Sequence, residues 1–191
     1  MFDTENFYYQ TWREIAKKNN FSFDLEDKIL LSGRKMDESI SYMVEKFSMD
    51  RQKAVEIRKD LNDLREEKFE KIDYSLKKSG LVELLDYVKK NNKKLALASS
   101  SEKDRVDFLV DREGVRNYFD LIISSDNIVE GKPNPEIFNF AMEKLNADKN
   151  KTYILEDSLS GIKAAKASGA VAVLIVDLDD SELIKNEADL V

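Results

Sequence analysis

From residue 95 onwards the chain repeats one pattern, a short unbroken apolar run followed by a stretch with helical periodicity. The runs occupy 95–98, 121–123, 153–155 and 171–176. Between them lie amphipathic segments, one holding Val106, Leu109 and Val110, the next Ile137, Phe138, Ala141, Met142 and Leu145. A third, rich in alanine, ends at Gly169, placed as a C-terminal helix glycine. A strand that is apolar on both faces needs cover on both, and parallel strands need a crossover between them. This dictates the fold class: α/β, a Rossmann-like parallel sheet with helices on both faces.

The region before it has a different texture. Phe7, Tyr8, Trp12, Ile15 and Ala16 recur at helical spacing, as do Met36, Ile40, Met43, Val44 and Phe47. After Asp50 a longer helix carries Val55, Leu61, Leu64, Phe69 and Ile72 amid dense charge. Residues 4–75 are therefore expected to form a helical domain, and 1–3 with 76–191 the α/β core.

Composition narrows the chemistry. The 191 residues include no histidine and no cysteine, so acid–base or metal work must rest on carboxylates, and disulfides and thiol catalysis are excluded. A formal charge of −7 argues against nucleic acid, because the basic stretch 89–94 alternates with apolar helix positions and reads as a solvated face. No apolar run reaches membrane-spanning length and no leader is evident, so a cytoplasmic monomer is expected.

In open parallel sheets, ligands bind beyond the carboxyl ends of the strands. The four runs end in Ser99-Ser100-Ser101, Ser124-Ser125-Asp126, Glu156-Asp157-Ser158 and Asp177. Hydroxyls, carboxylates and helix N-termini gathered at one edge suit a phosphate group with a hard divalent cation. Each residue also has a plainer reading. Ser100 or Ser101 can serve as an N-cap, with Asp104 completing a capping box, and Asp126 reads as a loop or cap residue. Glu156 and Asp157 can belong to a structural network, although adjacent acids after a buried strand repel unless a cation is near. Lys132 lies on a stiff turn, with Pro133 behind it and Asn134-Pro135 as an N-cap and first helical residue. The plain alternative is a solvated lysine.

Three segments in order, 95–101, 131–138 and 155–170, resemble the haloacid dehalogenase superfamily, in the branch of β-phosphoglucomutase and small sugar-phosphate phosphatases. The resemblance covers nearly the whole chain, and the helical insert looks like that family's C1-type cap. It implies phosphoryl transfer to an aspartate and then to water or a sugar hydroxyl. Ser99, with Ser100 beside it, would bind the phosphoryl group, and Lys132 would neutralise its charge. Asp157 with Glu156 would hold Mg²⁺, and the partner would be a small phosphorylated metabolite. Arg34 and Arg65 in the cap would be candidates for substrate contact.

One departure stands out. The family's nucleophile and general acid lie in Asp-x-Asp-Gly at the end of a first, central strand, and here Met1-Phe2-Asp3-Thr4-Glu5 matches the text just after it. The resemblance thus implies that the first central strand is missing from residues 1–191, with a gap between the strands near Leu95 and Ile154 and no activity for this chain alone. The leading expectation is a phosphatase. A phosphomutase is the alternative, weakened because Met36 stands where the mutase has an arginine. A non-catalytic phosphate-binding remnant or truncated fragment is the alternative of another class.

Overall fold

Asp50 accepts hydrogen bonds from the backbone N–H groups of Gln52 (2.8 Å) and Lys53 (3.3 Å), which satisfies orphan donors and starts the longest helix among the described residues. The computed structural model describes residues 1–31, 36–177 and 179–191. The chain divides into two units, Met1–Lys78 and Ser79–Val191. The first holds helices α1 (Glu5–Lys18), α2 (Leu25–Leu31), α3 (Met36–Lys46) and α4 (Arg51–Glu70). Ala54, Ile57, Leu61, Arg65 and Phe69 follow one another at three- and four-residue steps and form the buried face of α4. That face closes on a core of Trp12, Ile15, Phe23, Ile40 and Met43, in which Trp12 stacks on Phe23 at 4.6 Å between centroids. The ends of the unit run antiparallel: Phe2 bridges Lys77, and Asp3 N–H donates to the Leu76 carbonyl at 2.7 Å.

Asp27 ties α2 to α3. Its carboxylate is buried, yet accepts from the Tyr42 hydroxyl (2.5 Å) and the Lys46 ammonium (2.7 Å), while its other oxygen accepts from Asp24 N–H (2.9 Å). Burial opposes ionisation of this carboxyl, but the hydrogen bonds from Lys46 and Tyr42 outweigh it and hold the group below the usual carboxylate range. A depressed folded value means that the unfolded chain binds the proton more readily. The stabilisation is therefore complete above about pH 4, the ordinary carboxylate value, and is lost as pH falls through the folded value. Asp27→Asn is expected to lower stability near neutrality by about 2 kcal/mol, the scale of hydrogen bonds to a charged group. In urea denaturation the deficit of the variant should shrink as pH falls below about 4; a deficit independent of pH would exclude this account.

The second unit alternates as the sequence requires: α5 (Leu81–Lys90), β1 (Ala96–Ala98), α6 (Lys103–Arg112), β2 (Leu121–Ile123), α7 (Glu136–Leu145), β3 (Tyr153–Glu156), α8 (Leu159–Ser168), β4 (Val171–Leu174) and α9 (Glu182–Glu187). All pairing is parallel, but it falls into two sheets, β1 with β2 and β3 with β4. Helix α7 packs on β1 and β2, and α8 on β3 and β4; the helices also pack on each other, so both sheets share a core containing Ile123, Ile137, Phe138, Ile154, Ile162 and Leu174.

The hydrogen bonds explain the division. The Leu95 carbonyl accepts from Asp120 N–H and Ser99 N–H donates to the Ile123 carbonyl, both at 2.9 Å. With a period of two, the main-chain groups of Ala96 and Ala98 then point to the opposite edge of β1. The Thr152 and Glu156 carbonyls accept from Val171 and Ile175 N–H, which leaves those of Tyr153 and Leu155 on the opposite edge of β3. Among the described residues no ladder joins β1 to β3. Alternation also splits the faces of β3: Ile154 is buried, whereas Tyr153 and Leu155 are exposed. No described helix is long and apolar enough to cross a membrane.

Candidate functional site

Strand β3 ends at Glu156, and the turn into α8 begins with Asp157 and Ser158. Ser158 is the N-cap of α8, its hydroxyl oxygen accepting from Gly161 N–H at 3.1 Å. The same hydroxyl donates to Glu156 Oε2 at 3.4 Å. The Glu156 carboxylate lies directly over Gly161, where a Cβ would fall 1.9 Å from Oε2. A side chain there would have to displace the carboxylate.

The other Glu156 oxygen meets Lys132 Nζ in an ion pair. Both side chains are buried, at 8% and 9% exposure, so the pair works in a medium where each charge needs the other. Lys132 Nζ also sits 5.0 Å from the centre of the Phe138 ring. The loop holding Lys132 is tied down at both ends. The Glu136 carboxylate, in the first turn of α7, accepts from Val129 N–H (2.9 Å) and Glu130 N–H (2.7 Å). Asn134 Oδ1 accepts from Glu136 N–H at 2.9 Å, so Asn134 caps α7 across Pro135, which stands one position earlier than the sequence suggested.

At the end of β1, Ser99 is half-buried and its hydroxyl oxygen accepts from Ser101 N–H at 3.1 Å, while Ser100 is exposed. No hydrogen bond joins Ser99 to Lys132 among the described residues. The capping box read from Ser101 and Asp104 does not form. Helix α6 starts after Glu102, which makes no side-chain cap, and Lys103 N–H is satisfied by Asp126 Oδ2 at 3.2 Å. Asp126 thus caps a helix distant in sequence, and Ser124 caps its own turn with Asn127.

Of the proposed cap cations, Arg34 lies outside the described residues. Arg65 is buried in the helical unit, its Nε donating to Thr11 Oγ1 at 3.3 Å and its guanidinium 4.5 Å from the Tyr8 ring centre. Gly161, Ser158 and Glu136 are parts of the site whose individual roles the sequence reading did not assign. A Ser three residues before a Gly, and an acid opening a helix, were the available signals.

As a metal site the residues fit in part. Among the described residues no three of Asp, Glu, His and Cys converge. Mg²⁺, however, commonly takes only one or two carboxylates and completes its shell with water and phosphate oxygens. Glu156 has one oxygen committed to Lys132, and the half-buried Asp157 is the neighbouring carboxylate at the same strand end that would share the role.

The class is thus an α/β protein with a helical unit ahead of it and a charged, glycine-packed site at the carboxyl end of a parallel strand. The chain belongs to the haloacid dehalogenase-like hydrolase family, whose model matches residues 1–175. It is 32% identical over 176 residues to the phosphorylated carbohydrates phosphatase of Thermotoga maritima, covering 88% of this chain and 77% of the relative. It is 27% identical to the fructose-1-phosphate phosphatase YqaB of Escherichia coli, covering 91% and 89%. Among solved structures it is similar to β-phosphoglucomutase from Clostridium difficile, with a TM-score of 0.81 and 25% identity over all of this chain and 85% of that one.

Proposed function

We propose that this protein takes part in Mg²⁺-dependent phosphoryl transfer, as a phosphatase of a small phosphorylated metabolite such as a sugar phosphate. The observation that carries the reading is the buried Lys132–Glu156 pair beside Asp157 at the end of β3. A phosphoryl group concentrates negative charge through its transition state, so a cation fixed before the substrate arrives stabilises it without reorganisation. Lys132 provides that charge, Glu156 holds it in place, and Ser99 donates a hydrogen bond to the phosphoryl group. Asp157 holds Mg²⁺, which supplies further charge neutralisation at the phosphate oxygens. The phosphatase relatives support the substrate class.

Residues 1–191 contain no Asp-x-Asp-Gly, the segment that carries the nucleophile in the family this chain resembles. Among the described residues no strand pairs with the edges of β1 and β3 that face away from β2 and β4, which is compatible with this reading. On this reading residues 1–191 alone bind phosphate without turning it over. They are expected to hydrolyse p-nitrophenyl phosphate with Mg²⁺ no faster than buffer. The same chain with an Asp-x-Asp-Gly strand joined ahead of Met1 is expected to hydrolyse sugar phosphates. Robust turnover by 1–191 would overturn the account of the nucleophile. An inert joined chain, folded and tested on a panel of sugar phosphates, would overturn the phosphatase reading.

A further inference from the structure

The turn that follows β2 holds the segment that follows β1 at two points. Ser125 N–H donates to the Ser101 carbonyl at 3.0 Å, and Asp126 Oδ2 accepts from Lys103 N–H at 3.2 Å. These two groups stand on either side of Glu102, which offers α6 no side-chain cap of its own. The turn is itself set by buried Ser124. Its hydroxyl accepts from Asp126 N–H at 3.3 Å, and its N–H donates to Asn127 Oδ1 at 2.9 Å.

The consequence reaches Ser99. Its backbone N–H is bound to the Ile123 carbonyl of β2, and its hydroxyl oxygen accepts from Ser101 N–H at 3.1 Å. A hydroxyl carries one proton and two acceptor positions. With one acceptor position taken by Ser101 N–H, the Ser99 proton is directed away from that group, toward an acceptor such as a phosphoryl oxygen beyond the strand end. Where that proton points therefore depends on where the Ser101 peptide sits, and the turn at 125–126 holds that peptide.

We propose that Asp126 is a positioning residue for phosphoryl binding, fixing the Ser99 hydroxyl through Lys103 N–H and the Ser101 peptide. The inference rests on the role that the phosphatase reading gives to Ser99. An ordinary cap would only stabilise α6, whereas a latch on this segment also sets how tightly Ser99 holds an oxyanion. Asp126 touches no ligand in this scheme. Its exposed carboxylate is engaged with the N-terminus of α6, where the helix dipole favours an acid.

Residues 1–191 are titrated with inorganic phosphate by calorimetry, at constant ionic strength set with sodium chloride. Ser99→Ala should raise the half-saturating concentration about tenfold, the loss of one hydrogen bond to a charged group. Asp126→Ala should raise it about threefold or more, yet add nothing in a chain that already carries Ser99→Ala. Asp126→Asn keeps an acceptor for Lys103 N–H and should bind phosphate as the unmodified chain does. Hydrogen exchange reads the latch without a ligand. Relative to the Ser99 amide, the Ser101 amide should exchange about tenfold faster in Asp126→Ala and at the original rate in Asp126→Asn. If the unmodified chain binds no phosphate while Ser101 exchange responds in this way, the phosphatase reading fails and the latch stands. An Asp126→Ala effect that persists beside Ser99→Ala would overturn the proposal. So would a lower Tm in Asp126→Ala with phosphate binding or Ser101 exchange unmoved, the behaviour of a plain helix cap.

Discussion

Lys132→Met is expected to destabilise residues 1–191 by about 3–5 kcal/mol, the scale seen when one partner of a buried ion pair is removed. Methionine replaces the aliphatic stem of the lysine closely, so the loss comes from stranding the Glu156 carboxylate rather than from a cavity. Glu156 is 9% exposed, lies over Gly161 and has only the weak Ser158 hydroxyl bond to replace the ammonium. Adding Glu156→Gln removes the stranded charge, and the double variant should regain most of the lost stability in urea denaturation. A cost below about 1 kcal/mol for Lys132→Met would show a solvated pair of the surface kind, and would remove the observation on which the proposed function stands.

The largest expected effect on activity is at Asp157. In the chain joined to an Asp-x-Asp-Gly strand, Asp157→Ala should lower Mg²⁺-dependent turnover by about a hundredfold to a thousandfold, the range for losing one electrostatic element of a preorganised site. Its neighbour Glu156 cannot simply take over, because one of its oxygens holds Lys132 and its position is set by Gly161. The stabilisation of the protein by Mg²⁺, read as a rise in Tm, should vanish in parallel. Retained Mg²⁺-dependent turnover in the variant would displace Asp157 as the metal anchor. Loss of turnover with the Mg²⁺ shift intact would assign it another role at the same strand end.

These two residues show how far local pattern carries. The adjacent acids after the run 153–155 and the lysine before Pro133 were both legible as candidates, because strand ends and proline turns are written in consecutive residues. Their relationship was not. Lys132 and Glu156 are 24 positions apart, and only the packing of α7 and α8 against the strands brings them together. Ser101 illustrates the opposite case: a plausible local capping pattern lost to Asp126, which reaches α6 from a turn more than twenty residues later.

By itself, the sequence determined the alternation of apolar runs and helices, the helical texture of the first 75 residues, the Gly169 helix end and the strand ends where chemistry gathers. Each of these follows from a period of two or 3.6 or from the chemistry of a turn, which neighbouring residues fix without the rest of the chain. Tertiary structure alone decided which charges are brought together, that Glu156 belongs to Lys132 over Gly161, and that Asp126 rather than Ser101 satisfies the start of α6. Burial is the physical reason: the worth of a charge depends on the medium and partner that distant segments provide, and no local spacing encodes either.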